Sequence, residues 1–175
     1  MSSDNPGLHK PKLVRRLVAS GAYLDVECAV RADETSPASE LLDQLAEGTW
    51  PDPEAESLPD EWQPRYLQRL IALCQALAAG DSIPDNAFNA LEDGVLEFKI
   101  DGLRVTFYDT DGRGNCGVTE IEYYDDWSGK RRPVLPEFEE YVRLGHVFPK
   151  TGQKTRPEDI QQSLQVRKED LEHDA

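Results

Sequence analysis

The residue types able to do chemistry fall in two stretches. LEFKIDGLRVTFY carries Lys99, Arg104 and Tyr108, and HVFPKTGQKTRP carries His146, Lys150, Lys154 and Arg156. In the first stretch two alternating runs flank Asp101-Gly102, a dipeptide suited to a two-residue type I′ turn because both central positions need positive φ. That turn sets the register, pairing Ile100 with Leu103, Lys99 with Arg104, Phe98 with Val105 and Leu96 with Phe107. Leu96, Phe98, Ile100, Leu103, Val105 and Phe107 then make the core face. Glu97, Lys99, Arg104, Thr106 and Tyr108 share the other face. Like charges directly opposite each other cost a few tenths to about 1 kcal/mol. Either Glu97, diagonally near, and solvent screen the pair, or the face holds an anion such as a phosphodiester. In the latter case Tyr108 is placed to stack on a base or donate a hydrogen bond.

The second stretch adds cations where a helix begins, and helix N-termini favour anions. If the strand VRLGHVF lies beside the Leu103–Tyr108 run, Lys150, Lys154 and Arg156 join Lys99 and Arg104 in one groove; otherwise they belong to an ordinary exposed loop. His146 alternates with Leu144 and Phe148, so strict strand geometry turns it toward the apolar face, while a bulge near Gly145 would reverse it.

The elements that must position these residues are legible from periodicity. YLDVECAVR, residues 23–31, alternates as a half-buried strand. Ser36-Pro37 starts a helix whose Leu41, Leu42 and Leu45 face inward until Gly48. After the acidic, Pro-rich TWPDPEAESLPDE, a longer helix presents Trp62, Tyr66, Leu70, Leu73, Cys74 and Leu77 and stops at Gly80. Residues 110–140 read as an elaborated connection, with an extra β-hairpin as one form of it. Thr155 and Glu158 form a capping box for a last helix whose stripe is Ile160, Leu164 and Leu171. The expected organisation is an extension over 1–21 and one α+β domain over 22–174.

The formal charge of −15 opposes unspecific binding to nucleic acid unless the acids are kept from the binding face. They are unevenly spread. Asp33, Glu34, Glu40, Asp43, Glu47, Asp52, Glu54, Glu56, Asp60 and Glu61 crowd one stretch, whereas VRLGHVFPKTGQKTRP holds none. No apolar run reaches the roughly 20 residues that cross a bilayer, and the start is not of signal-peptide type, so a cytoplasmic protein without membrane partners is expected. Cys28, Cys74 and Cys116 are far apart and form no zinc pattern; Cys28 and Cys74 read as core side chains. DTDGRGNCGVTE imitates a calcium loop, but Arg113 occupies a ligand position and the flanks read as strands. A Gly-rich turn is preferred.

In order, a strand, two helices, the LEFKIDGLRVTFY hairpin, LGHVF, KTGQKTRP and a terminal helix resemble the phage-derived, HigB-like branch of the RelE/ParE toxin superfamily. Phe148-Pro149-Lys150 followed by Lys154-Thr155-Arg156-Pro157 is the most specific part. The resemblance implies a twisted, mainly antiparallel sheet with two N-terminal helices packed on it and a C-terminal helix. It also implies a toxin of a type II toxin-antitoxin system, neutralised by an antitoxin protein and cleaving mRNA at the ribosome without a metal or other cofactor. On that basis Arg104 is the phosphate stabiliser, Lys99 the charge stabiliser or base, and Tyr108 and His146 candidates for stacking or proton transfer. Lys150, Lys154 and Arg156 would be RNA contacts. A non-catalytic protein-interaction module on the same fold and a ParE-like gyrase inhibitor are the alternatives, and the oligomeric state is left open.

Overall fold

The computed structural model describes residues 13–51 and 59–175. Its centre is a six-stranded sheet in the order β1 (Leu17–Ser20), β2 (Asp25–Cys28), β8 (Tyr141–Pro149), β5 (Leu103–Thr110), β4 (Leu96–Ile100), β3 (Phe88–Ala90). Only β2 and β8 run parallel, which makes the sheet mixed and mostly antiparallel. A separate two-stranded hairpin, β6 (Tyr123–Asp125) and β7 (Arg131–Pro133), stands in the 110–140 connection.

Helix α1 (Pro37–Glu47) begins where Ser36-Pro37 predicts and ends at Gly48, whose φ of 73° closes the last turn. The Ser36 hydroxyl does not cap the helix; it donates to the Ala29 carbonyl at 2.7 Å. Helix α2 (Gln63–Ala79) ends at Gly80, again at positive φ. Its Tyr66, Leu70, Cys74 and Leu77 are buried, while Trp62 lies just outside the helix and is exposed. Leu41, Leu45, Leu70 and Cys74 meet Val26, Phe98, Val105, Phe107 and Leu144 in the main core. Burial pushes the Cys28 thiol up to about 12, consistent with a packing role.

The β4–β5 register is the one the Asp-Gly pair predicts, from Ile100↔Leu103 to Leu96↔Phe107, with Lys99 opposite Arg104. The turn differs. Asp101 has φ 50°, but Gly102 is outside the positive region, so the type I′ geometry is not formed. Phe98 and Phe107 stack diagonally with centroids 4.1 Å apart.

Four further expectations need correction. Residues 17–20 are no detached extension but the edge strand β1, so the first helix follows two strands rather than the one expected, and the N-terminal helix pair that the resemblance implies does not stand ahead of the sheet. Strand β3 adds an edge beside β4 that no alternation announced, being only three residues long. Helix α3 spans Pro157–Glu172, with Arg156 at its N-cap and no side-chain cap. The Thr155 hydroxyl instead donates to Glu97 Oε1 at 3.2 Å, so the capping box is absent. Finally, α3 buries Asp159, Ser163, Val166 and Asp170, leaving Ile160, Leu164 and Leu171 only partly covered. The stripe is polar because α3 lies on the polar face of the sheet, against β5 and β8.

Candidate functional site

Strand β8 lies antiparallel to β5, with Arg104 opposite Phe148 and Leu103 opposite Pro149. The chain beyond β8 therefore leaves the sheet beside the hairpin end. Lys99, Arg104, Lys150, Lys154 and Arg156 consequently line one cavity of about 370 Å³. Five cations from β4, β5 and the β8–α3 connection thus converge, and Asn89, Glu92, Glu97 and Asp159 line the same cavity.

The Lys99–Arg104 pair is handled in two ways. Arg104, 5% exposed, donates through Nη1 to the Asp101 carbonyl at 2.5 Å and the Leu103 carbonyl at 3.0 Å. These hydrogen bonds to backbone dipoles hold the guanidinium in place at the groove. Lys99 makes no hydrogen bond among the described residues, and burial, then the charges of Arg104 and Lys150, hold its ammonium below the usual lysine range. An anion in this groove would relieve both effects.

Glu97 lies between these cations and was read in the sequence only as a neutraliser. It is 2% exposed and lines the groove. Burial pushes its carboxyl above the ordinary glutamate value, against the opposing pull of Arg104, Thr155 and Asn89. A carboxylate whose affinity for a proton is raised, in contact with a cationic groove, has the properties of a general base. Its position two residues from Lys99 on one strand was the signal that placed it on the same face.

His146 turns away from the main core. The β5–β8 register shifts between Val105 and Phe107, so that Gly145 and His146 together oppose Thr106. This bulge puts His146 on the polar face, stacked on Phe148 at 5.3 Å, with Nε2 3.0 Å from Asp159 Oδ1. Asp159 also accepts from Arg156 Nε at 3.1 Å. Burial, more than Asp159 offsets, lowers the imidazole's affinity for protons. His146 does not line the groove; it holds the carboxylate that orients Arg156.

Tyr108 is placed elsewhere. It is 1% exposed beneath α3 and donates to Asp170 Oδ2 at 2.5 Å, so it has no surface on which a base could stack. Asp170 is completely buried and also accepts from Arg15 Nε at 2.8 Å, Arg143 Nη1 at 2.9 Å and the Val30 amide at 2.9 Å. Arg143 reaches Glu27 and Asp174 as well. This ion cluster fixes α3 on the sheet and is separate from the groove.

The Gly-rich segment after β5 uses its acids as turn acceptors. Asp109 takes the Val118 amide and Asp111 the Arg113 and Asn115 amides. Among the described residues no cluster of acids, histidines and cysteines is arranged to hold a metal, and no helix is long and apolar enough to cross a membrane. The chain matches no family model, no curated protein and no solved structure.

Proposed function

We propose that the groove binds a phosphodiester of mRNA and promotes its cleavage by the neighbouring 2′-hydroxyl, making the chain the toxin of a toxin-antitoxin pair. The observation that carries this reading is the convergence of Lys99, Arg104, Lys150, Lys154 and Arg156 on one cavity in a chain of net charge −15. Glu92, Glu97 and Asp159 also line the cavity, but the cations outnumber them there, against the balance of the chain as a whole. The KTGQKTRP resemblance supports the same reading, and with it a ribosome-bound message as substrate and an antitoxin as the neutralising partner.

In this mechanism the Glu97 carboxylate takes the proton of the 2′-hydroxyl as its oxygen bonds to phosphorus. Arg104 and Lys154 stabilise the negative charge that grows on the non-bridging oxygens. The P–O5′ bond then breaks, and Lys99, made more acidic by burial and then by its cationic neighbours, gives a proton to the departing oxygen. The products are a 2′,3′-cyclic phosphate and a 5′-hydroxyl. Arg156, oriented by Asp159, contacts a flanking phosphate.

The test is induced expression of wild type and of a Lys99→Ala/Lys154→Ala variant, in cells lacking a cognate antitoxin, following growth and message integrity together. Neither lysine holds a hydrogen bond among the described residues, so the variant should melt as wild type does. Growth arrest with cleaved mRNA, both lost in the variant, is the expected result. Normal growth with intact RNA would instead favour the interaction module, to which the exposed Trp127 and the acidic surface are suited. Arrest with intact RNA would point to a protein target of the gyrase type.

A further inference from the structure

The basic groove does not end at Lys99. The same lysine forms one wall of a second hollow of about 410 Å³, lined on its other sides by Ala72, Leu73, Ala76, Ile83 and Pro84. That lining comes from α2 and the segment leading into β3, and it is mostly apolar. Asn86, at the far side of this hollow, also borders a third hollow whose walls include Tyr124, Trp127 and Arg132 of the β6–β7 hairpin. Lys99 and Asn86 are therefore shared walls, so the three hollows adjoin one another in turn from the phosphate groove to the hairpin.

The hairpin is unusually well held for a projecting element. Tyr124 donates to Asp85 Oδ2 at 2.7 Å, which ties it to the body of the domain. At its tip Asp126 accepts from the Ser128 amide and hydroxyl, the Lys130 amide and Arg132 Nε, at 2.6 to 3.0 Å. Trp127 is carried on this braced turn at 98% exposure. Arg131 stacks on Tyr123 at 4.2 Å and presents a flat cationic surface on the same hairpin. The backbone that carries this aromatic surface is already fixed by these bonds, so binding has only the indole's own rotamer to order.

We infer that the path from Lys99 through the apolar hollow to Trp127 is a single-strand track. It takes the base beside the groove-bound phosphate into the hollow and stacks the next base on Trp127. This inference rests on the phosphodiester reading of the groove. The chemistry of the walls selects the occupant. Phosphates are favoured at the Lys99 end, apolar faces follow, and the Trp127 end carries Asp85, Asp125 and Asp126. Those acids repel a phosphate but accept hydrogen bonds from the exocyclic amino groups of bases. Only an unpaired strand can splay its bases toward a protein in this way. Stacking on an aromatic contributes about 1–3 kcal/mol per base and tolerates any sequence.

The test uses a 2′-O-methyl oligoadenylate, which cannot be cleaved, and an abasic oligomer of the same length and charge. Binding is measured for wild type, Lys154→Ala, Trp127→Ala and Ala72→Glu. Ala72 is an exposed helix position that accepts glutamate without cost to the fold. Wild type should bind the oligoadenylate roughly tenfold tighter than the abasic probe, within the range expected for one stacked base. Trp127→Ala should cut that preference severalfold, leaving only the share of the base in the hollow, with abasic binding unchanged, and Ala72→Glu should weaken oligoadenylate binding more than abasic binding. Lys154→Ala should weaken both probes equally. If Trp127→Ala and Ala72→Glu bind oligoadenylate as wild type does while Lys154→Ala is weakened, the track is overturned and the groove stands; the hairpin is then a surface for a protein. If wild type binds neither probe, the groove reading falls and the track falls with it.

Discussion

The two faces of the central sheet are covered by different chemistry. Beneath α1 and α2 the cover is apolar, with Leu41, Leu45, Leu70 and Cys74 packed on Phe98, Val105 and Phe107. Beneath α3 and the connection before it, the buried groups include Glu97, Arg104, Thr106, Arg143, Asp159 and Asp170. Among the described residues no buried side-chain nitrogen or oxygen lacks a partner. The apolar face is stabilised by area, which is non-directional and tolerates exchange of similar volumes. The polar face depends on bond geometry, because each charge is costly unless its partner is in place. It also divides in two. At the α3 C-terminal end Arg15 and Arg143 are neutralised by Glu27, Asp170 and Asp174. At the hairpin end Lys99, Lys150 and Lys154 have no ion pair among the described residues. Both arginines are paired where the fold is held, and positive charge is left in excess where the groove opens.

The sharpest way to break this contrast is to remove one buried partner on the polar face. Asp170→Ala should cost about 3–5 kcal/mol, since it leaves the buried Tyr108 hydroxyl without its acceptor and Arg15 and Arg143 with only Glu27 and Asp174. Leu70→Ala, on the other face, should cost a similar amount, about 2–5 kcal/mol, through a cavity. Denaturation at low and high salt separates them: the leucine variant's loss should stay constant, whereas the aspartate variant's should depend on salt.

Next is Glu97→Gln, which addresses the groove half of the polar face. As the general base its loss should lower RNA cleavage by about 10²–10⁴-fold. Stability should move the other way. The folded carboxyl has a raised pKa, so its contribution is fully present below the ordinary value of 4.5 and is lost as pH rises through the folded value. At neutral pH the glutamine variant should therefore melt above wild type, and the gap should close on acidification. A variant that melts lower at neutral pH, with unchanged cleavage, would remove Glu97 from both roles.

The smallest effect belongs to the rim of α3. Glu169 is held down to about 2 by its hydrogen bonds from Arg31, the Ala32 amide and Gln165. A depressed carboxylate contributes stability above the ordinary value of 4.5, and that contribution disappears as pH falls toward 2. Because the pair is partly solvated, Glu169→Gln should cost about 0.2–1 kcal/mol at neutral pH and flatten the acid limb of the stability curve. An unaltered acid limb would show that α3 is held by the Asp170 cluster alone.

The parts legible in the sequence are those governed by local chemistry. Asp101-Gly102 and the alternation around it specify the whole β4–β5 register, although the turn forms with only Asp101 at positive φ. Ser36-Pro37 and Gly48 bound α1. The adjacency of Lys99 and Arg104 to the Lys150–Arg156 segment depends on β8 pairing with β5, which the reading posed as a condition and the sheet order satisfies. What escaped was set by distant partners. His146 turns over because one extra residue sits opposite Thr106, and Gly145 gives no local sign of which way the pleat will resolve. Tyr108 looked exposed because the expected α3 stripe was Ile160, Leu164 and Leu171. The helix is instead rotated by the demand of Arg143 and Tyr108 for an acceptor, which only Asp170 supplies at depth.

The Arg15–Asp170 pair joins residues 155 positions apart and has a consequence in time. A growing chain exposes Arg15 early, and the hairpin and β8 follow, but Asp170 leaves the ribosome long afterwards. At roughly 5–20 residues per second, α1, α2 and much of the sheet have seconds in which to assemble without α3. During that interval Arg143 and Tyr108 remain in water and the Asp159 end of the groove is missing. The groove gains its Asp159 wall only once α3 has packed on β8.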